Sequence, residues 1–259
     1  MQDNSISWER LLAEAITKPG LLAAAYNAFH SYSIGNQVLA MVQCQQRGIT
    51  PGPIATFQAW KEKGRFVKKG EKALMLCMPV TRKNQDDETF TSFIYRNRWF
   101  VLSQTEGQEI EQPVPPTWDK ERALAELGIG EIEFDYTDGN IMGYAKKRSI
   151  AVSPLAFAPF KTLFHELAHV TLGHTEELDF SDSDSTPKNL REVEAESVAL
   201  ILCESLNLPG AEYCRGYIQN WLSGDVIPEK SAQKIFRAAD RILKAGGPIG
   251  LAEGEEKTS

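Results

Sequence analysis

The run His165-Glu166-Leu167-Ala168-His169 carries the clearest chemistry in this chain of 259 residues. Two histidines four positions apart project from one face of a helix, about one turn apart, so both imidazoles can reach a single Zn2+. Glu166, about 100° further round, can touch a water on that ion without becoming a ligand. This is the H-E-x-x-H spacing, whose chemistry is a metal-activated water with the glutamate as general base. Histidine is otherwise scarce: of four in the chain, His165, His169 and His174 fall within ten positions. Leu163, Leu167 and Val170 form an aliphatic stripe set apart from the two histidines.

A third ligand must come from a neighbouring element, and Arg191-Glu-Val-Glu-Ala-Glu-Ser197 offers three glutamates. At helical spacing Glu192 and Glu196 share a face with Ala195, Ala199 and Cys203, while Glu194 points to a more polar side beside Arg191. Two carboxylates on a small apolar face are costly to bury without compensation, and a metal with its histidines supplies it. Glu192 is therefore expected as the ligand, and Glu196 as the acceptor that orients a ligand histidine through its other ring nitrogen. His174 comes one position too early for a metzincin third ligand, and is expected at the surface or behind a ligand. Glu166 would take the proton of the water and pass it to a leaving amine. Tyr144 is the candidate for steadying the oxyanion, and strand 149–152 is expected to offer an edge to an extended peptide.

The elements that must place these groups follow from periodicity and breakers. Phe160–Leu172 reads as the helix of the two histidines, closed by Gly173, with possible starts at Pro154 and Pro159. After a polar loop, Asp179–Ser185, Thr186 can cap a second helix that begins at Pro187 and runs to about Leu206. Asp119–Leu127 and Glu229–Ala245 read as helices, and Ser149–Val152 as a short strand. Upstream, Ser7–Thr17, Gly20–His30, Ser33–Arg47 and Thr56–Lys63 read as helices. Lys72–Val80 and Thr91–Val101 read as strands about the turn TRKNQDDE. The seam is Glu106–Pro116, acidic and then proline-rich. An α+β domain over residues 1–112 and a mainly helical domain over 113–259 are expected, with GGPIGLAEGEEKTS a frayed end.

Charge separates the same two parts. Residues 1–105 hold 13 Lys and Arg against 8 Asp and Glu, whereas the remainder holds 15 against 27, within a net charge of −7. The basic excess concentrates in WKEKGRFVKKGEK, Trp60–Lys72. There Lys61, Lys63, Arg65, Lys68, Lys69 and Lys72 interleave with Trp60 and Phe66, a pattern suited to phosphate contacts and base stacking on single strands. Composition is that of a soluble globular chain, with 42% apolar residues. No run has the length to span a bilayer and no signal peptide opens the chain, so a cytoplasmic protein is expected. Cys44, Cys77, Cys203 and Cys214 form no C-x-x-C pair and are expected as reduced thiols.

The stretch Tyr32–Val80, YSIGNQVLAMVQCQQRGITPGPIATFQAWKEKGRFVKKGEKALMLCMPV, resembles the N-terminal domain of the ArdC-type antirestriction proteins of conjugative plasmids. The resemblance implies a domain that binds single-stranded DNA, with Tyr32 and Asn36 joining the basic run above. Thr162–His169 and Arg191–Glu196 are similar to the metal-binding helices of the zincin domain that follows in that family. They are also similar to the ImmA and IrrE type of regulatory metallopeptidase, where the first acidic residue of Glu-x-Glu-Ala binds the metal. That likeness again implies Glu192 as the ligand. The leading expectation is an antirestriction protein of a mobile element, binding single-stranded DNA and carrying a zinc metallopeptidase-like domain. The alternatives are a regulatory protease recruited to DNA that cleaves a repressor, and a non-enzymatic DNA-binding protein with a structural zinc.

Overall fold

The computed structural model of the chain describes residues 7–83, 89–137, 139–175, 187–222 and 225–248. The loop Asp179–Ser185, the Thr186 cap, residues 84–88 of the polar turn and residues 249–259 of the frayed end lie outside them. The fold is α+β, in two compact units: residues 24–115, and residues 1–23 together with 116–259. The first helix is thus grouped with the C-terminal part rather than within a 1–112 domain. That helix, α1 (Trp8–Thr17), packs on the last helix of the chain, and Trp8 meets Phe236 with ring centroids 5.7 Å apart. Helix α2 (Leu21–Phe29) then runs on into residue 24 and beyond.

In the unit 24–115, α3 (Ile34–Arg47) is followed by β1 (Ile54–Thr56), α4 (Phe57–Glu62), β2 (Arg65–Val67), β3 (Leu74–Lys83), β4 (Thr89–Val101) and β5 (Thr105–Gly107). One antiparallel sheet has the order β1-β4-β3, and β2 pairs with β5. β3 is an outer strand, so its outward backbone groups need partners from elsewhere. Helix α3 supplies them from side chains. Asn36 accepts from the Cys77 N–H (2.9 Å) and donates to the Cys77 carbonyl (2.8 Å). Gln43 does the same for Met75, at 2.9 and 2.8 Å, and Arg47 donates to the Ala73 carbonyl at 3.1 Å. Positions 73, 75 and 77 alternate along an extended run, and 36, 43 and 47 share one helix face, so a row of side chains stands in for a missing strand.

In the other unit, α5 (Lys120–Leu127) leads to β6 (Gly130–Glu131), β7 (Gly143–Lys146) and β8 (Ser149–Val152), followed by α6 (Pro159–Thr171), α7 (Lys188–Ser205), α8 (Ala211–Leu222) and α9 (Glu229–Gly246). The sheet order is β6-β8-β7, with β8 parallel to β6 and antiparallel to β7. Strand 149–152 therefore has both edges paired, contrary to the expectation of a free one; among the described residues the outer strands are β6 and β7. Helix α6 lies on β7, β8 and α7, and α7 is enclosed by α1, α6, α8 and α9. From Val193 to Ser205 every residue of α7 is buried, on all sides of the helix. Helix α8 is an element that hydrophobic patterning did not single out.

Asn36→Ala leaves both backbone groups of Cys77 without their partner at the β3 edge. It is expected to cost about 1–3 kcal/mol in denaturant unfolding; unchanged stability would contradict the edge-capping role.

Candidate functional site

Pro159 takes the first position of α6, where its missing N–H costs nothing. Pro154 starts no helix, because Ser153 instead accepts from the Leu155 N–H at 3.2 Å and closes a turn. Along α6, His165 and His169 bring their Nε2 atoms 3.1 Å apart. From α7, Glu192 Oε2 stands 3.5 Å from His165 Nε2 and 3.7 Å from His169 Nε2. Three potential ligand atoms on two helices thus converge on one point. Ligands about 2.1 Å from a tetrahedral ion stand roughly 3.4 Å from one another, so the trio has the spacing of a shared cation. Two imidazole nitrogens this close also need a proton or a cation between them, since facing lone pairs repel.

Each histidine is held from behind through Nδ1. His165 Nδ1 lies 2.7 Å from Glu196 Oε2, and the other Glu196 oxygen pairs with Lys161 Nζ at 2.8 Å. His169 Nδ1 lies 3.0 Å from His174 Nδ1, and His174 Nε2 lies 3.0 Å from Glu194 Oε2. One expectation is corrected here. Glu194 does not face solvent but is 1% exposed, because α9 packs over that side of α7 with Ser231 and Lys234 beside the carboxylate. Of the two places expected for His174, the structure takes the one behind a ligand: its side chain is largely buried and backs His169. Sequence reading also passed over Lys161, whose signal was its place one turn before His165, and Tyr217 of α8.

Electrostatics give each group a different task. Burial alone would lower the His165 pKa, but its bonds to Glu192 and Glu196 lift it to about 9. Bonds to His165 and His169 hold the Glu192 carboxyl far below the usual carboxylate range. Glu166 is pushed the other way: burial raises its pKa, and the nearby imidazoles only partly offset that. A carboxylate with a raised pKa, close to three ligand atoms yet outside the trio, is suited to take up a proton. Burial raises the Tyr217 hydroxyl, as do the charges of Glu192 and Glu196, which places it beside the site. Tyr144 instead donates to Asp135 at 2.8 Å. Gly143, at the start of β7, leaves room for α6: a methyl there would fall 2.5 Å from Thr162 Cγ2 and 3.0 Å from Glu166 Oε1. Glu166 therefore lies over the face of β7 at Gly143.

In the unit 24–115 the residues expected to touch DNA divide in two. Trp60 is 1% exposed and its Nε1–H donates to the Phe100 carbonyl at 2.8 Å, so no ring face is left for a base. Asn36 is taken up by the β3 edge, and Tyr32 donates its hydroxyl to the Ile54 carbonyl at 3.0 Å. Arg65 binds the Thr105 hydroxyl (2.8 Å), the Thr105 carbonyl (3.1 Å) and the Gln108 carbonyl, bracing β2 against β5. Lys68 donates to the Ser103 carbonyl at 2.9 Å. Lys61, Lys63, Phe66, Lys69 and Lys72 are exposed. Phe57, Phe90 and Phe93 are exposed as well, with Arg96 and Arg98 on the same hairpin as the last two. Phenylalanines near cations were the signal available for these in the sequence, but their exposure is a tertiary property.

The fold and the trio describe a protein with an α+β module ahead of a helical unit that carries a metal-type constellation. Residues 5–116 match the family described as the N-terminal domain of anti-restriction factor ArdC. That stretch is therefore similar to an ArdC-type N-terminal domain. The fold of the whole is similar to that of the antirestriction ArdC protein from the R388 plasmid. The metal-free crystal structure of that protein is 22% identical, covering 92% of this chain and 94% of that one, with a TM-score of 0.54. Its Mn(II)-bound structure is 21% identical, covering 93% and 97%, with a TM-score of 0.57. No curated protein matches the chain. No helix among the described residues is long and apolar enough to cross a membrane.

The folded pKa of His165 lies above its unfolded value, so its charge stabilises the metal-free fold fully below pH 6.5 and that contribution fades as pH rises through about 9. In NMR titrations of chelator-treated protein, its imidazole is expected to titrate near that value; a midpoint at or below 6.5 would contradict the carboxylate-flanked geometry.

Proposed function

We propose that this chain is an antirestriction protein that binds single-stranded DNA through its residues 24–115 and holds a divalent cation at His165, His169 and Glu192. The observation that carries the metal part is the convergence of those three ligand atoms, with the two Nε2 atoms 3.1 Å apart. Zinc suits two imidazoles and a carboxylate, and manganese is the ion named for the R388 relative. When bound, such an ion supplies a Lewis acid that lowers the pKa of a water. Glu166 receives and returns the proton, helped by a burial-raised pKa. Glu196 and Lys161 keep His165 aimed. Strand β7, which is outermost in its sheet among the described residues and starts at Gly143 close to Glu166, is the strand on which an extended peptide could add. Hydrolysis of a protein or peptide is the activity this arrangement suits.

For DNA, the match of residues 5–116 to the ArdC N-terminal domain supports the reading, together with the exposed cations and aromatics. The stacking residues proposed are Phe57 and Phe66, on the packed pair α4 and β2, in place of Trp60. Lys61, Lys63, Lys69 and Lys72 supply contacts to phosphates. The DNA role and the metal role sit on different units of one chain, so each can be removed alone.

The test is fluorescence anisotropy of a labelled single-stranded oligonucleotide with the full chain, across a salt series, with and without EDTA. Binding that weakens steeply with salt and survives EDTA is expected. Phe57→Ala with Phe66→Ala is expected to weaken it by at least about tenfold, on the scale of ~1–3 kcal/mol per stacked base. Absence of binding at low salt would remove the DNA reading. In parallel, Glu166→Ala is expected to keep metal stoichiometry while Glu192→Ala lowers it, and full retention in Glu192→Ala would remove that ligand assignment.

A further inference from the structure

His169 is held differently from His165, and the difference assigns work to two residues outside the trio. Helix α6 ends in a left-handed turn: Leu172 is the last cap, Gly173 has φ +77°, and the His174 N–H returns to the His169 carbonyl at 2.9 Å. The Gly173 N–H bonds to the Val170 carbonyl at 3.2 Å, completing the pair of bonds that closes such a helix end. This turn folds His174 back over the helix it follows. Because it follows the glycine directly, its ring meets the rear of His169 and not the point where the ligand atoms converge.

The hydrogen bonds then have one consistent arrangement. For His169 Nε2 to present a lone pair beside His165 Nε2, the ring proton of His169 must sit on Nδ1. That Nδ1–H donates to His174 Nδ1, 3.0 Å away. A neutral His174 accepting at Nδ1 carries its own proton on Nε2, which donates to Glu194 Oε2 at 3.0 Å. The reverse arrangement would aim an N–H of His169 at His165 and set a bare His174 nitrogen against a carboxylate oxygen. Glu194 is 1% exposed, and its side-chain partners are His174 and, from α9, Ser231. A carboxylate this deeply buried is costly unless it acts on a neighbour.

We infer that Glu194 and His174 form a positioning relay that fixes the tautomer of His169 and strengthens it as a metal ligand, the counterpart of the direct Glu196–His165 contact. The inference rests on the metal reading proposed above. A donor imidazole backed by an acceptor is both oriented and made more basic, and loss of such an outer partner typically weakens metal affinity 10- to 100-fold. The unit therefore uses three glutamates of α7 in three ways: Glu192 toward the ion, Glu196 behind one histidine, and Glu194 behind the other through an intervening imidazole.

The experiment is competition of Zn2+ between a chromophoric chelator and the full-length chain, in wild type and in His174→Leu, His174→Gln and Glu194→Gln. A 10- to 100-fold weaker affinity is expected for His174→Leu and a smaller loss for Glu194→Gln. His174→Gln, whose amide oxygen can still accept from His169, should recover much of the loss. Long-range 1H–15N NMR of the Zn2+-loaded wild type is expected to find the His169 proton on Nδ1 and the metal on Nε2, a readout that holds even if a variant fails to fold. Affinities within twofold of wild type in folded His174→Leu, or a metal on His169 Nδ1, would overturn the relay while leaving the metal reading intact. A wild-type chain that takes up no Zn2+ overturns both.

Discussion

Two imidazole nitrogens held 3.1 Å apart, with a carboxylate oxygen within 3.7 Å of each, are a constraint that the chain alone does not relieve well. Something positive must sit among them, and the surrounding helices are arranged to keep them there. Helix spacing brings His165 and His169 to one face, but it does not set the direction of their rings. That direction comes from behind, where every Nδ1 has a partner and every partner is itself held. Lys161 steadies Glu196, and the turn at Gly173 delivers His174. Such a packed polar network is costly in part and stable only when satisfied throughout.

The demand on α7 follows. Helix α7 turns Glu192 toward the two histidines and Glu196 and Glu194 toward the groups behind them, and from Val193 to Ser205 it is buried on all sides. Ala195 and Ala199, with Val198 and Leu202, fill the space that remains. The unit 24–115 meets a different demand. Its outer strand β3 is closed by amide and guanidinium groups from α3, so polar side chains are used where another protein would place a strand. Arg65, from the basic, aromatic run, and Asn36, from the family resemblance, were expected as nucleic-acid contacts, yet both hold backbone. The residues left facing solvent are lysines and phenylalanines.

What could be read from the sequence was local. His165, His169 and Glu192 follow from spacing along helices whose ends are marked by Pro159, Gly173 and Pro187, and most helices and the long hairpin fell where periodicity put them. The rest depended on contacts that spacing cannot carry. Glu194 was misplaced because a helix with a polar-looking side was assumed to have a solvent there, whereas α9 covers it. Trp60 was misjudged because a tryptophan beside lysines reads alike in a core or on a surface. Strand β8 was expected to have a free edge because β6 and β7, of two and four residues, are too short to be seen in advance. Helix α8 carries Gly216 and several aromatics, which lowers its helix propensity below what patterning can detect.

The central claim is that one cation is shared by α6 and α7 at these three side chains. Anomalous X-ray diffraction at the zinc edge, from crystals grown with Zn2+, tests it most directly. The account predicts a single strong peak bonded to His165 Nε2, His169 Nε2 and the Glu192 carboxylate, with Glu166 near but unbonded. A peak bonded to His174 or Glu194, or no peak between the two helices, would contradict it.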